Sequence, residues 1–194
     1  MVSVTPRLHY HMFEFKDLLS EKECDFLVKI SHDIGYQQTE FSDSKAKIHN
    51  NSRNKNTNNY YNRELAQTIL MRLKDHIPIE FRGSKLVSVN DAFRFFRYEK
   101  GHEFNWYRDG KFSNSRAEVN QFTLLVYLND DFEGGHTTFT SRHTPYDFEE
   151  FWLKPKKGDG LAFYHDLTHR GDKVFSGTKY VLRSDLMYDL MPFD

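Results

Sequence analysis

The residues able to do chemistry gather in the second half of this 194-residue chain. Three phrases follow one another from Arg94: RFFRYEKGHEFNWYRDG, then QFTLLVYLNDDFEGGHTTF, then KPKKGDGLAFYHDLTHRGDKVFSGTKYVLRSDLMY. They carry a carboxylate at Asp109, imidazoles at His136, His165 and His169, and cations at Lys179 and Arg183. Taken singly, each has an ordinary explanation. An Asp before Gly is turn chemistry, a His near a strand end is solvated or hydrogen-bonded, and a Lys on an edge strand points to water. Arg183 lies four residues past Lys179, hence on the same face of a strand, and its guanidinium fork would suit a carboxylate.

The three phrases, in this order and spacing over roughly residues 86–188, resemble the catalytic core of prolyl 4-hydroxylase-like iron(II)/2-oxoglutarate oxygenases. The resemblance implies a site in which two imidazoles and one carboxylate hold Fe(II) on one face and leave positions open for 2-oxoglutarate and oxygen. Asp109 matches the carboxylate of the family's His-x-Asp, and His169 matches the distal histidine. Lys179, ten residues on, matches the cation that pairs with the distal carboxylate of 2-oxoglutarate. Arg183 is its rival for that contact, and the family spacing favours Lys179. Tyr127 matches a tyrosine that helps hold the same carboxylate, and Tyr98 another pocket-lining tyrosine. The implied activity is a dioxygenase that decarboxylates 2-oxoglutarate to succinate and oxidises a C–H bond of a small molecule or peptidyl residue, with ascorbate as a reductant.

Two positions depart from the family pattern. Tyr107 stands where the first histidine ligand belongs, and His136 replaces a glutamate in the phrase Glu133-Gly134-Gly135-His136-Thr137-Thr138-Phe139. Tyr107 leaves four readings open: a lost site, a tyrosinate ligand, iron held by Asp109, His169 and water, or a change introduced into the sequence. A phenol ionises near pH 10 unless a metal pulls that value down. The alternative function is therefore a catalytically silent jelly-roll binding module. His136 is expected close enough to the pocket to influence the metal or the bound acid, against the plainer reading of a surface change on a turn. His165 is expected to act behind the ligands.

The elements that must position these residues form an α+β, mainly β pattern. Ser20-Glu21-Lys22-Glu23 matches a helix capping box, and Cys24, Leu27, Val28 and Ser31 follow at helical spacing. Asn62 can cap a second helix in which Leu65, Ile69, Leu73 and Ile77 recur up to Pro78. Residues 8–16 read as a first strand, and the Asn-rich segment 49–62, with Arg53, as an exposed loop able to close over substrate. Beyond Gly83, segments 86–98, 121–128, 136–140, 150–154, 160–165 and 179–188 look extended, with Gly and Asp between them. Phe104, Trp106 and Phe112 suit a substrate-facing surface or the core equally. Helical support over about 18–80 and a jelly-roll core over about 84–190 make one domain, a double-stranded β-helix with N-terminal supporting helices.

Composition narrows the partners. A hydrophobic share of 38% with 18 Phe and 11 Tyr can fill a core, and a net charge of -1 gives no reason to expect nucleic acid or an anionic membrane. Cys24 is the only cysteine, so no intramolecular disulfide can form. No apolar run is long enough to span a membrane, and the first residues lack the apolar centre of a signal peptide. A soluble, cytoplasmic protein is expected, with its oligomeric state open.

Overall fold

The computed structural model describes residues 2–8, 10–38, 56–142 and 144–190. The first half supplies β1 (Ser3–Arg7), β2 (Met12–Lys16), α1 (Glu21–Ile34), β3 (Gln37–Gln38), β4 (Asn56–Tyr61), α2 (Arg63–Leu73), β5 (Glu80–Phe81) and β6 (Ser84–Val89). The second half supplies β7 (Ala92–Tyr98), β8 (Phe104–Tyr107), β9 (Val119–Tyr127), β10 (Glu133–Gly134) and β11 (Thr137–Thr140). It continues with β12 (Phe151–Leu153), β13 (Gly160–Tyr164), β14 (Thr168–Gly171), β15 (Val174–Ser176) and β16 (Lys179–Leu190).

Both helices start where the sequence places their caps. The Ser20 hydroxyl accepts from the Glu23 N–H while the Glu23 carboxylate accepts from the Ser20 N–H, so two free donors are satisfied reciprocally. The Asn62 side chain accepts from the Leu65 N–H. Cys24 and Leu27 of α1, and Ala66, Ile69 and Leu73 of α2, enter the main apolar cluster. Arg72 ties the helices together, donating to Glu23 and to the Leu18 carbonyl. The second helix stops at Leu73; Lys74 to His76 form a turn, so Ile77 is buried from outside the helix.

The main sheet runs β1-β2-β13-β9-β16-β7-β4-β3, with β6 on β16 and β5 on β6. A smaller sheet runs β12-β11-β14-β8, and β10 pairs with β15 apart from both. From β7 onward the chain moves main, small, main, small, small, main, small, main through β7, β8, β9, β11, β12, β13, β14 and β16. That alternation winds two four-stranded layers into a double-stranded β-helix, with β7-β16-β9-β13 facing β8-β14-β11-β12. Phe139 of β11 meets Phe163 of β13 edge-on at 5.1 Å, and Tyr127 of β9 meets Thr137 of β11 through their hydroxyls, so side chains of both layers fill the space between them.

Several expectations need correction. The first strand is a hairpin, β1 and β2, in register from Ser3↔Lys16 to Arg7↔Met12. The extended stretch 86–98 is two strands, β6 and β7, broken at Asn90-Asp91. Residues 56–61 of the Asn-rich segment are no loop. They form β4, hydrogen-bonded along β7 from Asn56↔Arg97 to Tyr61↔Ala92, because alternate side chains there need not be apolar at the margin of a sheet. Arg53 and residues 49–55 lie outside the described residues. The short strands β8 and β14, which carry Tyr107 and His169, were not foreseen.

Candidate active site

Strand β16 supplies one wall of the space between the layers. Its residues Lys179, Arg183 and Asp185 lie an even number of positions apart and share a face. Lys179 and Arg183 are separated by about 13 Å along the strand. Antiparallel register sets Lys179 beside Tyr98 of β7, and Asp185 beside Thr123 of β9. The opposite wall comes from β14 and β8, where His169 pairs directly with Tyr107.

Around Lys179 the wall is lined by aromatic rings. The side chain is buried, with its residue only 4% exposed, and its Nζ donates to the Gly135 carbonyl at 2.6 Å. Rings of Tyr127, Tyr98 and Phe132 lie 5.3, 5.5 and 5.9 Å from that nitrogen. Among the described residues no carboxylate lies within ion-pairing distance of it. Burial lowers its pKa from 10.5 to about 8, with Asp172 opposing. Burial likewise raises the phenols of Tyr98 and Tyr127 above their usual range, so both are neutral hydroxyls. The Tyr127 hydroxyl shares a 2.6 Å hydrogen bond with the Thr137 hydroxyl. A buried ammonium beside two phenols and a phenyl ring, with no carboxylate in ion-pairing distance among the described residues, fits a ligand carboxylate.

Further along β16 lie the donors of the expected metal centre. His169 Nδ1 is 2.9 Å from the Leu167 carbonyl, which can only accept. Nδ1 therefore carries a proton, and Nε2 lies 3.7 Å from Asp109 Oδ2. Phe163 and Phe139 pack on the imidazole at ring distances of 4.6 and 5.7 Å and fix its plane. Thr123 Oγ1 donates to Asp109 Oδ2 at 2.6 Å, and Arg183 pairs with Asp109 Oδ1 at 3.2 Å. Asp109 is also anchored through its backbone N–H, which donates to the His165 carbonyl.

Tyr107 is at the third donor position. Its ring is 4.2 Å from that of His169 and 4.2 Å from that of Phe104. Burial first, and the neighbouring Asp109 carboxylate second, push its phenol well above the usual value, which keeps it protonated. Two donors, Asp109 and His169, suit a non-haem iron; the neutral phenol is a poor third. Among the described residues no cluster of three His, Cys, Asp or Glu side chains forms a metal site.

The remaining candidates separate. Arg183 turns to carboxylates within the chain, reaching Asp185 at 3.2 and 3.3 Å as well as Asp109, so Lys179 is the cation left for a ligand. His136 stacks on Trp152 at 4.3 Å and lies 3.8 Å from Asp172, where it lines a cavity with Arg170 and Phe175. It is sequence-adjacent to Gly135, whose carbonyl takes the Lys179 proton donor, but its ring faces that cavity. His165 Nδ1 stands 3.4 Å from the Asp109 carbonyl, behind the donors. Phe104 is core, whereas Phe112 is partly exposed and Trp106 lies under Arg170 at 4.4 Å. Sequence reasoning missed Thr123 and Asp185. Only strand register brings them to Asp109 and Arg183, and nothing in their local sequence signals it.

The 2OG-Fe(II) oxygenase superfamily matches residues 93–184. Probable prolyl 4-hydroxylase 3 of Arabidopsis thaliana is 22% identical over 87% of this chain and 66% of its own length. A putative prolyl 4-hydroxylase of Acanthamoeba polyphaga mimivirus is 36% identical over 30% of the chain and 26% of its own. The chain thus spans about two thirds or less of these curated relatives. The viral collagen prolyl hydroxylase of Paramecium Bursaria Chlorella virus-1, solved with 2OG, superposes with a TM-score of 0.65 at 22% identity, over 92% of this chain and 97% of that one. A Trichoplax adhaerens prolyl hydroxylase, solved with a hypoxia inducible factor peptide, gives 0.68 at 12% identity, over 94% and 84%.

Proposed function

We propose that this chain is a prolyl 4-hydroxylase-like oxygenase of the 2-oxoglutarate/iron(II) kind, which oxidises a C–H bond of a small molecule or peptidyl residue. The observation that carries this reading is the buried ammonium of Lys179, which has no carboxylate in ion-pairing distance among the described residues, on the same strand wall that leads to the facing Asp109 and His169. Lys179 would pair with the distal carboxylate of 2-oxoglutarate while the Tyr127 hydroxyl offers it a further hydrogen bond. Asp109 Oδ2 and His169 Nε2 would hold the metal. Bound iron supplies the redox chemistry that couples decarboxylation of 2-oxoglutarate to substrate oxidation. The phenylalanines against His169 exclude water from the imidazole, and Leu167 keeps its proton on Nδ1 so that Nε2 stays a donor. Relatives named as prolyl hydroxylases, one solved with a peptide, favour a peptidyl substrate. Fold alone does not fix it.

A second reading, a silent module that keeps the 2-oxoglutarate pocket and has lost turnover, draws on a specific observation. Tyr107 is a buried neutral phenol at the third ligand position. Succinate formation from 2-oxoglutarate, after anaerobic loading with Fe(II) and exposure to oxygen with ascorbate, separates the two. Turnover by the unsubstituted chain supports the oxygenase. Succinate only from Tyr107→His, which restores two imidazoles and a carboxylate, identifies a disabled oxygenase. Neither variant producing succinate, with 2-oxoglutarate still bound, favours a binding role.

A further inference from the structure

The wall that holds Lys179 has a titratable group on its outer side. Lys179 Nζ donates to the Gly135 carbonyl at 2.6 Å, and the next residue along the chain is His136. Two backbone bonds clamp this stretch to the segment after β14. The Gly135 N–H donates to the Lys173 carbonyl at 2.9 Å, and the Asp172 N–H to the His136 carbonyl at 2.8 Å. A Cβ on Gly134 would strike the Lys173 carbonyl, so the two segments meet backbone to backbone. Outside them, His136 and Asp172 line a cavity of about 420 Å³. With 28% of its side chain exposed, the imidazole can exchange protons with water.

Asp172 is an acid common to both cations. Arg170 Nε donates to its Oδ1 at 2.6 Å and Thr138 Oγ1 to its Oδ2 at 2.7 Å, and that second oxygen lies 3.8 Å from His136 Nδ1. The charged groups around His136 are Asp172, Arg170 of β14, Lys154 beyond β12 and Lys179 of β16, with Glu103 and Lys173 across the cavity. Trp152 stacks on the ring at 4.3 Å and adds no charge. Burial above all, then Lys154 and Lys179, hold the imidazole below the usual histidine range against the pull of Asp172, so it is neutral at pH 7.5. Asp172 also favours the ammonium of Lys179. Imidazole and ammonium thus repel when both are charged, and a carboxylate brought to Lys179 acts on His136 with the opposite sign.

Resting on the reading of Lys179 as the 2-oxoglutarate anchor, we propose that His136 and Asp172 form a proton-responsive couple behind it. Protonation of His136 strengthens binding of the dicarboxylate at Lys179, and the bound dicarboxylate draws a proton to His136. These are one linkage seen from two sides and are equal in size. Across a backbone ribbon partly reached by water, the coupling should be about two- to threefold in affinity.

Calorimetric affinity for 2-oxoglutarate, with equal Mn(II) throughout, tests this at pH 7.5 and 5.5 in the unsubstituted chain and in His136→Gln. Comparing the two proteins at each pH cancels the titration of the ligand and of the metal donors. At pH 7.5 they should agree within about twofold, and at pH 5.5 the unsubstituted chain should gain about two- to threefold over the variant. A merely structural role for His136 would shift both pH values alike. Without ligand or metal, the His136 ring-proton resonance, assigned by its loss in His136→Gln, should reach half-protonation at a pH about 0.3–0.5 higher in Lys179→Met, and lower in Asp172→Asn. Lys179→Gln takes the place of Lys179→Met should that variant fail to fold. Equal pH responses in the two proteins, or a midpoint unmoved in either charge variant, would overturn the proposal. If neither protein binds 2-oxoglutarate, the anchor reading itself falls and this inference with it.

Discussion

Lys179 is the residue from which the site is best understood, because its ionisation can be followed in two opposed ways. Burial brings its pKa to about 8, below the 10.5 of an exposed lysine. Between those values the unfolded chain binds more protons, so stability should rise as the pH climbs from about 8 to 10.5. The buried charge destabilises the ligand-free protein by about 3 kcal/mol below pH 8. Ligand affinity should do the reverse. As the ammonium loses its proton above pH 8, calorimetric affinity for 2-oxoglutarate should fall by about tenfold per pH unit. In Lys179→Arg the guanidinium stays charged, and any affinity that survives should be flat across that range. A lysine merely parked in the core would give the stability rise without the affinity fall. Its match to the cation of the family that the sequence resembles, ten residues past the distal histidine, made this residue legible in the sequence. Arg183 was a fair rival on strand parity, and only the register that brings Thr123 and Asp185 to its end of β16 shows why it is not free for a ligand.

Elements deliver these residues through turns with little tolerance. Gly135 leaves β10 with φ +61°, and a Cβ there would stand 3.0 Å from the Phe132 ring and 3.3 Å from Lys179 Cδ. Gly135→Ala should therefore cost about 1–2 kcal/mol in urea unfolding, from the left-handed backbone alone. It should also weaken 2-oxoglutarate binding, because the displaced Lys179 loses its carbonyl partner. Asn62→Ala makes the contrasting case: loss of the α2 cap should cost about 1 kcal/mol in the same measurement and leave 2-oxoglutarate affinity unchanged. The caps were readable because a capping box is a local pattern, complete within four residues. Strand β4 was not, since its sequence, NTNNYY, has turn composition and becomes a strand only by pairing with β7. The same holds for β8 and β14. Each is four residues long, FNWY and THRG, too short for alternation to show.

At the scale of the whole molecule, the central strands β9 and β13 of the main sheet are covered on both faces, and this explains what periodicity could and could not reveal. Strand β9 is buried at eight of its nine positions, so its sequence, VNQFTLLVY, shows no polar-outward alternation that would mark an inner and an outer face. A jelly roll could be inferred from the order of phrases, but the exchange between layers could not. That arrangement puts Lys179 and the Asp109–His169 pair on walls drawn from strands remote in sequence. A ligand bridging them should stabilise the fold as a unit instead of tightening one loop. With Mn(II) present and 2-oxoglutarate at about a hundred times its dissociation constant, the linkage is about 2.7 kcal/mol. For a chain of this length that corresponds to a rise in melting temperature of about 5–10 °C. Lys179→Met should abolish the rise while the variant, relieved of its buried charge, melts no lower than the unsubstituted protein without ligand. An unchanged ligand-induced shift in Lys179→Met would place 2-oxoglutarate elsewhere and remove the anchor of the proposed function. A shift lost in that variant but kept in Tyr107→Phe would separate the two halves of the site, with the anion pocket intact whether or not Tyr107 touches the metal.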